Sequence, residues 1–202
     1  MFAAGKSKGM LTALRSLIAG ARGSRVLTGM FMAIVVIQTA AFAEVPKQLE
    51  PLAFLLGEWT AVKGGSPGGA LGSAVFSLDL QGRVMIRKSY AEYPATDKAP
   101  ASRHDDLMII YAGDNGAIGA DYYDNEGHVI RYSVAVNAPG DVTFTSAIVP
   151  GTPRFRLSYG LGVNGILKGE FAIAPPGSPE AFAPYLAWES RKTGPGGQSD
   201  VK

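Results

Sequence analysis

The residues best suited to metal chemistry are the chain's two histidines, one of which stands beside two aspartates. The run His104-Asp105-Asp106 offers imidazole and carboxylate, the ligand types that divalent metals use in proteins. However, adjacent residues of a strand or loop point apart, and no second histidine is near in the sequence. We therefore interpret the run as a solvated loop and His128 as a surface residue beside a turn. The sequence predicts no metal site.

Covalent and phosphate chemistry find little support in the sequence. The chain has no cysteine, which excludes disulfides, thiolate catalysis and a lipid-anchored N-terminal cysteine. It also contains no Gly-x-Ser-x-Gly motif, no phosphate-binding loop and no paired zinc motif. The remaining candidates are polar residues at strand positions.

Polar side chains within strands carry the ligand-binding hypothesis. Every strand of a barrel exposes one face, so most such charges face water, and an inward charge needs a partner because its burial is costly. An inward set of arginine, glutamate and tyrosine would suit a carboxylate-bearing apolar ligand, with the guanidinium as its anchor. We predict ligand-binding roles for Met85, Tyr122, Arg131, Tyr185 and Glu189.

The elements that carry these residues are short alternating runs separated by Gly, Asn, Asp and Pro. Their short connections make neighbouring strands antiparallel. The predicted strands are 57–63, 73–80, 83–93, 107–112, 117–124, 128–137, 142–149, 154–159, 166–173 and 184–192. Closing such a meander removes its edges, and about ten strands enclose more space than side chains fill. We predict an all-β, antiparallel up-and-down β-barrel with a cavity; a two-sheet sandwich is the alternative.

The barrel is organised around residues 49–63, LEPLAFLLGEWTAVK. Pro51 sets the backbone of a first helical turn, and Gly57 permits the left-handed conformation that ends one. Trp59 follows two residues later. We predict a short helical lid over one end of the barrel, with Trp59 packed beneath it.

The N-terminal residues 1–43 predict a secretory signal peptide. They contain five of the 19 basic residues and none of the 17 acids, followed by an apolar run of twelve residues and an A-x-A exit. The true start is Met1 or Met10, and an uncleaved membrane anchor is the alternative. Cleavage leaves a β-barrel domain over 44–192 and a polar tail over 193–202, which we expect to be disordered.

The charge of the chain without its export signal indicates which partners it can bind. Removing residues 1–43 changes the formal charge from +2 to −3, so the apparent basicity belongs to the export signal and does not indicate nucleic-acid binding. We expect a periplasmic or secreted protein with no stable membrane span after cleavage, and a small molecule as its partner.

Two features of the chain resemble known β-barrel families. Gly57-x-Trp59 in the first strand, with Arg191 in the last, resembles the calycin superfamily of lipocalins and fatty-acid-binding proteins. There, a first-strand tryptophan packs against a last-strand arginine across the closed end, where the guanidinium gains cation–π contact. The string LEPLAFLLGEW is similar to the start of nitrobindin-type barrels and of related uncharacterised bacterial families. The resemblance covers 49–192 and implies closure by Gly57, Trp59 and Arg191.

The resemblance to nitrobindins also raises haem binding. Those proteins hold haem through a histidine just inside the last strand, and the matching position here is Tyr185. A tyrosinate ligates ferric haem, but it needs a neighbouring base or cation, and Glu189 would act in the opposite sense. Haem is therefore an alternative ligand for this barrel.

Three functions of different class remain open at this point. The first is an exported carrier with a cavity lined by large apolar side chains: Phe76, Met85, Phe144, Phe171 and Trp188. The second is an enzyme whose interior uses Tyr and Glu as acid and base and Arg to hold the substrate. The third is a surface protein whose barrel is filled by its own side chains. A cluster of Tyr, Glu and Arg with perturbed pKa values would favour the enzyme.

Overall fold

The computed structural model describes residues 44–63 and 71–195. The predicted signal peptide and residues 196–202 lie outside the described residues. Ten strands follow a helical turn at Glu50–Leu55. They are β1 Gly57–Lys63, β2 Leu71–Asp79, β3 Val84–Tyr93, β4 Ser102–Ala112, β5 Ile118–Asp124, β6 Val129–Ala138, β7 Asp141–Ser146, β8 Arg154–Leu161, β9 Ile166–Ala174 and β10 Ala183–Gly194. A tight turn at Leu80–Gly82, in which all three residues have positive φ, joins β2 to β3.

The strands form a closed antiparallel barrel in which each strand pairs with the next along the chain. The first and last strands pair with each other, with Thr60 opposite Arg191, and this pairing completes the ring. The predicted up-and-down barrel is confirmed. Five of the nine connections have two to five residues and return the chain only to an adjacent antiparallel position, which accounts for much of the order.

Several strand boundaries differ from the prediction, and two of these differences change the role assigned to named residues. β4 begins at Ser102, so His104, Asp105 and Asp106 are strand residues and not part of a solvated loop. β10 continues through Thr193 and Gly194, two residues into the predicted tail, where the Thr193 hydroxyl lies 3.1 Å from that of Thr60. In both cases ladder pairing with a neighbouring strand outweighs a polar local sequence.

The barrel interior is filled at the end that the helical turn covers. Alternate residues of each strand point inward there and are almost completely buried. These core residues include Trp59, Phe76, Leu78, Met85, Met108, Ile110, Ala120, Tyr132, Val142, Phe144, Leu157, Tyr159 and Leu167. Burying an aliphatic or aromatic side chain contributes roughly 1.5–3 kcal/mol, so this end is the main source of stability.

The helical turn forms the lid of this closed end. Its apolar residues Leu52 and Leu55 are fully buried, and Pro51 lies in its first turn. The indole Nε1 of Trp59 donates a hydrogen bond to the Leu55 carbonyl oxygen at 2.7 Å, which ties the lid to β1. Gly57 has φ of +123°, and a Cβ there would lie 2.9 Å from the Gly194 carbonyl oxygen. Only glycine fits this joint.

The predicted packing of Arg191 on Trp59 is wrong. Arg191 is exposed and lies opposite Thr60, whereas Lys192 lies opposite Trp59 and places its Nζ 5.4 Å from the centroid of the Trp59 ring. Side chains alternate along a strand, so the residue that shares the face of Trp59 is one position further along β10. A lysine therefore supplies the cation at the closed end.

Within residues 44–63 and 71–195, no helix has the length and apolar character needed to cross a membrane.

Candidate functional site

The centre of the candidate site is Arg87, whose side chain lies inside the barrel and is 6% exposed. Arg87 on β3 shares its inward face with Met85 and pairs with Met108 on β4. Its Nη2 forms an ion pair with Asp106, and its Nη1 donates a hydrogen bond of 2.5 Å to the hydroxyl oxygen of Tyr159 on β8. The guanidinium thus connects β3 with its neighbour β4 and with β8 across the barrel.

Burial and pairing act in opposite directions on Arg87. Burial lowers the pKa of its guanidinium, but the Asp106 carboxylate and the Tyr159 hydroxyl outweigh burial and hold that pKa above its ordinary value. Arg87 is therefore charged at every pH at which the barrel is folded. Its Nε is buried and has no hydrogen-bond partner among the described residues, although buried donors are nearly always satisfied.

A group of linked polar side chains extends from this arginine toward the end opposite the lid. The Ser89 hydroxyl donates to Asp106 Oδ2 at 2.6 Å, and the Tyr122 hydroxyl donates to Asp124 Oδ2 at 3.2 Å. His104 Nε2 lies 3.0 Å from the Tyr122 oxygen and 3.8 Å from Asp106 Oδ2. We call these five residues on β3, β4 and β5 the polar wall.

His104 connects the polar wall to the turn that follows β5. His104 Nε2 lies 3.0 Å from the oxygen of the Tyr122 hydroxyl, which donates to Asp124. The other ring nitrogen of His104, Nδ1, faces Glu126 Oε1 at 3.0 Å.

The interior tyrosines are fixed as neutral donors. Burial raises the pKa of Tyr122, Tyr132 and Tyr159, and the Arg87 charge, which lowers each of these values, does not cancel the effect. A tyrosine with a raised pKa keeps its proton at neutral pH and donates a hydrogen bond. These hydroxyls are suited to hold a polar group and unsuited to act as bases.

An apolar wall lies on β8, β9 and β10, across the barrel from the polar wall. It consists of Phe155, Phe171 and Leu186, which are all partly exposed. The two phenylalanine rings stack with centroids 5.9 Å apart, and Leu186 lies opposite Phe171 in the ladder. Partly accessible apolar side chains facing a polar wall are typical of a small-molecule site.

Tyr185 lies at the edge of this end because β10 has a bulge there. The pairing register shifts between Pro184 and Leu186, so Tyr185 packs edge-to-face on Phe171, with ring centroids 6.4 Å apart. Burial raises the pKa of Tyr93 on β3, and nearby Tyr185 and Glu126 raise it further. Tyr93, Tyr185 and Glu126 thus lie near one another at the end of the barrel opposite the lid, which we call the mouth.

The predicted site residues separate into three groups. Tyr122 is in the polar wall, and Tyr185 is at the mouth. Met85 points inward but is completely buried in the core below Arg87. Arg131 is 86% exposed beside Asp121, so its predicted inward role is wrong. Glu189 is also on the outer face. Tyr185 and Glu189 were predicted to share a face, but the bulge at Tyr185 shifts the alternation of β10 and separates them.

Five polar residues of the site were not predicted as ligand-binding: Arg87, Ser89, His104, Asp106 and Asp124. The signal for the first two was present, since they alternate with Met85 on one face of a predicted strand. His104 and Asp106 point inward in the same alternation as Met108 and Ile110. Because both residues are polar, this alternation was not recognised in the sequence.

The large residues predicted to line a cavity all belong to the interior cluster or pack against it. Phe76, Met85 and Phe144 are completely buried, so they form core. Phe171 and Trp188 are partly buried and lie nearer the mouth. A groove of about 550 Å³ also runs over β2 to β5, and another of about 430 Å³ over β7 to β10; both are lined mainly by outward-facing residues.

The residues at the haem position do not fit haem. The neighbours of Tyr185 are the Phe171 ring and the neutral Tyr93 hydroxyl, and Glu189 lies on the other face. None of them is a cation that would stabilise a tyrosinate ligand. We derive no chemistry through haem.

Comparison of the chain with protein-family models gives no match, and comparison with curated proteins gives none either.

Proposed function

We propose that this protein binds a small, mostly apolar molecule at the open end of its barrel, between the polar and apolar walls. The observation that carries this proposal is the buried Arg87–Asp106 pair, whose guanidinium has an unsatisfied Nε donor. A buried ion pair is weak support for stability, because an apolar pair of similar volume often does as well. Its position beneath the mouth supports a role in binding.

The two walls define the shape of the ligand. Phe155, Phe171 and Leu186 offer apolar surface, while the Tyr122 hydroxyl and the His104 ring offer polar contacts a short distance away. A molecule with an apolar body and one polar end satisfies both walls. This arrangement follows the general form of ligand sites, which are mainly apolar with a few fixed polar groups.

The charges near the mouth select the polar end of the ligand. Asp106 already neutralises Arg87, whereas Asp124 and Glu126 form ion pairs with no lysine or arginine among residues 44–63 and 71–195. A carboxylate would therefore meet net negative charge, while a hydroxyl or an amine would not. We therefore propose a ligand with a neutral or cationic end in place of the expected carboxylate.

A calycin-like carrier exported to the periplasm or secreted is the cellular role that we propose. The basic N-terminal segment, its apolar run and the A-x-A exit support export. The closed barrel is compatible with such a carrier, and the resemblance of LEPLAFLLGEW to nitrobindin-type barrels supports the same assignment.

An enzyme acting at the polar wall is the second candidate. The observation that favours it is the contact of His104 Nε2 with the Tyr122 oxygen at 3.0 Å, beside Asp106. Histidine is the side chain best suited to proton transfer near neutral pH. The acid and base of this candidate are His104 and Asp106, because the interior tyrosines hold their protons too tightly and the nearest glutamate is at the mouth.

The experiment uses three ligands with the same ten-carbon chain: decylamine, decanol and decanoate. Isothermal titration of the folded protein, in the presence of a chelator, measures the affinity for each. We expect decylamine and decanol to bind at one site per chain and decanoate to bind at least about tenfold more weakly, a difference of about 1.4 kcal/mol. Absence of binding by all three, or tightest binding of decanoate, contradicts the proposal.

A further inference from the structure

We propose that the rim of the mouth binds one divalent transition-metal ion, of the class of Zn²⁺ or Co²⁺, through His104, Asp124 and Glu126, with His128 as a fourth ligand. One ligand atom from each of the first three residues lies within 4.8 Å of the others. His128 Nδ1 lies 2.8 Å from Asp124 Oδ2 and 3.8 Å from Glu126 Oε2. The sequence predicted no metal site, because it placed the two histidines far apart.

The fold brings the chain's two histidines together by pairing β4 with the β5–β6 turn. Asp124 ends β5, and Glu126 and His128 follow at alternate positions of the turn. Asn125 fastens this turn to β4, since its backbone amide donates to the Asp105 carbonyl oxygen at 3.0 Å and its side-chain amide to the Arg103 carbonyl oxygen at 3.1 Å. His104, between those two anchors, is held beside the turn.

Three of the distances between proposed ligand atoms are near those of a coordination shell. Bonds of about 2.0–2.1 Å in a tetrahedral zinc site place neighbouring ligand atoms roughly 3.3 Å apart. His104 Nδ1 lies 3.0 Å from Glu126 Oε1, and the contacts of His128 with Asp124 and Glu126 lie on either side of that value. Small rotations of exposed side chains bring the set onto one ion.

Two of the proposed ligands, His104 and Asp124, have a second polar atom in contact with other groups. His104 Nε2 lies 3.0 Å from the Tyr122 oxygen, with Asp106 behind it. Asp124 Oδ1 accepts from the backbone amides of Glu126 and His128 at 3.0 and 2.9 Å. Outer contacts of this kind orient metal-binding imidazoles and carboxylates. His104 Nδ1 then faces Glu126, and Asp124 Oδ2 faces His128 while it also accepts from the Tyr122 hydroxyl.

The carboxylates at the rim offer negative charge to a cation. The Glu126 carboxylate faces His104 Nδ1 at 3.0 Å. The Asp124 side chain is 3% exposed and has no lysine or arginine as an ion-pair partner in the described part of the chain. A divalent ion would neutralise both carboxylates.

The ligand types indicate the class of metal. Imidazole nitrogen with carboxylate oxygen suits zinc, cobalt and their neighbours. Calcium and magnesium prefer shells of oxygen alone, so two histidines in the set argue against them.

The test is metal binding by the folded protein without organic ligand. After treatment with a chelator and its removal, Zn²⁺ is titrated by calorimetry and Co²⁺ by its visible absorption. We expect one ion per chain and the absorption of a four- or five-coordinate Co²⁺ with nitrogen and oxygen ligands. Wild-type protein that binds neither ion stoichiometrically overturns the proposal.

The variants locate the site on these residues. Glu126→Gln and His128→Asn change exposed side chains and should leave the fold intact, yet each should weaken Zn²⁺ binding by about tenfold or more. Asp114→Asn, an exposed acid in the β4–β5 turn at the lid end, is the matched control and should bind as wild type. Equal binding by Glu126→Gln, His128→Asn and wild type overturns the assignment. Because no amphiphile is present, these results are independent of the proposed function.

Discussion

Arg87 on β3 and Tyr159 on β8 meet inside the barrel, where Nη1 of the arginine donates a hydrogen bond of 2.5 Å to the tyrosine oxygen. The two strands lie on different sides of the ring, so this contact marks the boundary between two regions of the interior. Toward the lid the side chains form a closed core, and toward the mouth they form the polar and apolar walls. The core at the lid and the walls at the mouth can therefore be tested separately.

Removing Arg87 alone should be strongly destabilising. Arg87→Met leaves the Asp106 carboxylate buried without its cation, which costs about 3–5 kcal/mol of unfolding free energy. Urea unfolding followed by circular dichroism measures the loss. The double variant Arg87→Met, Asp106→Leu should recover most of it, since an apolar pair removes the uncompensated charge. A double variant as unstable as the single one would show that the pair is needed for folding, contrary to our assignment of it to binding.

The closed end should depend on Trp59 and Lys192 and not on Arg191. Trp59→Ala removes a buried indole and its bond to Leu55, and should cost about 3–5 kcal/mol. Lys192→Ala should cost about 0.5–1 kcal/mol through the lost cation–π contact. Arg191→Ala, at an exposed site, should change the unfolding free energy by less than about 0.5 kcal/mol. A larger loss for Arg191→Ala than for Lys192→Ala would show that Arg191, and not Lys192, packs on Trp59.

Gly169 on β9 should resist substitution while its neighbour in space, Gly160 on β8, should not. A Cβ on Gly169 would overlap the Trp188 ring and lie 2.7 Å from the indole Nε1. Gly169→Ala should therefore cost about 1–3 kcal/mol, as other overpacked sites do. A Cβ on Gly160 meets no atom within 4 Å, so Gly160→Ala is the matched control and should be close to neutral. Equal unfolding midpoints for the two variants would show that Trp188 does not cover Gly169.

Stability should fall in alkali as the interior tyrosines ionise in the unfolded chain. Burial raises the pKa of Tyr132 above the ordinary value of 10.0. Below about pH 10 both states keep the proton, so this residue contributes no pH dependence; above that pH the unfolded chain loses its proton first, and stability declines. Tyr132→Phe should reduce the slope by about 1.4 kcal/mol per pH unit between about pH 11 and 12. An unchanged slope would mean that Tyr132 ionises in the folded barrel.

The strands were predictable because their alternation is regular. Phe76 and Leu78 on β2, or Met108 and Ile110 on β4, repeat with a period of two and bury one face. Turn residues separate the runs, and the short turns determine the antiparallel order. These are local signals, and they predicted the ten-strand closed barrel.

The site was less predictable because it depends on departures from that regularity. The bulge at Tyr185 changes which residues of β10 point inward, and the local sequence does not predict it. Arg87 and Asp106 are polar residues on a buried face, so their inward direction follows from a pairing across strands. His104 and His128 are 24 positions apart in the sequence and meet only because β4 is anchored to the β5–β6 turn. Contacts of this kind require the assembled barrel.

The most direct test of ligand binding compares two adjacent positions at the start of β6. Ile130 points inward opposite Tyr122, and Val129 points outward and is 60% exposed. Ile130→Trp should fill the space between the walls, whereas Val129→Trp adds the same ring outside the barrel. Native mass spectrometry with decanol and decylamine should show a one-to-one complex for wild type and Val129→Trp and none for Ile130→Trp. A complex that survives in Ile130→Trp while Val129→Trp abolishes it would place the ligand on the outer wall and contradict the account.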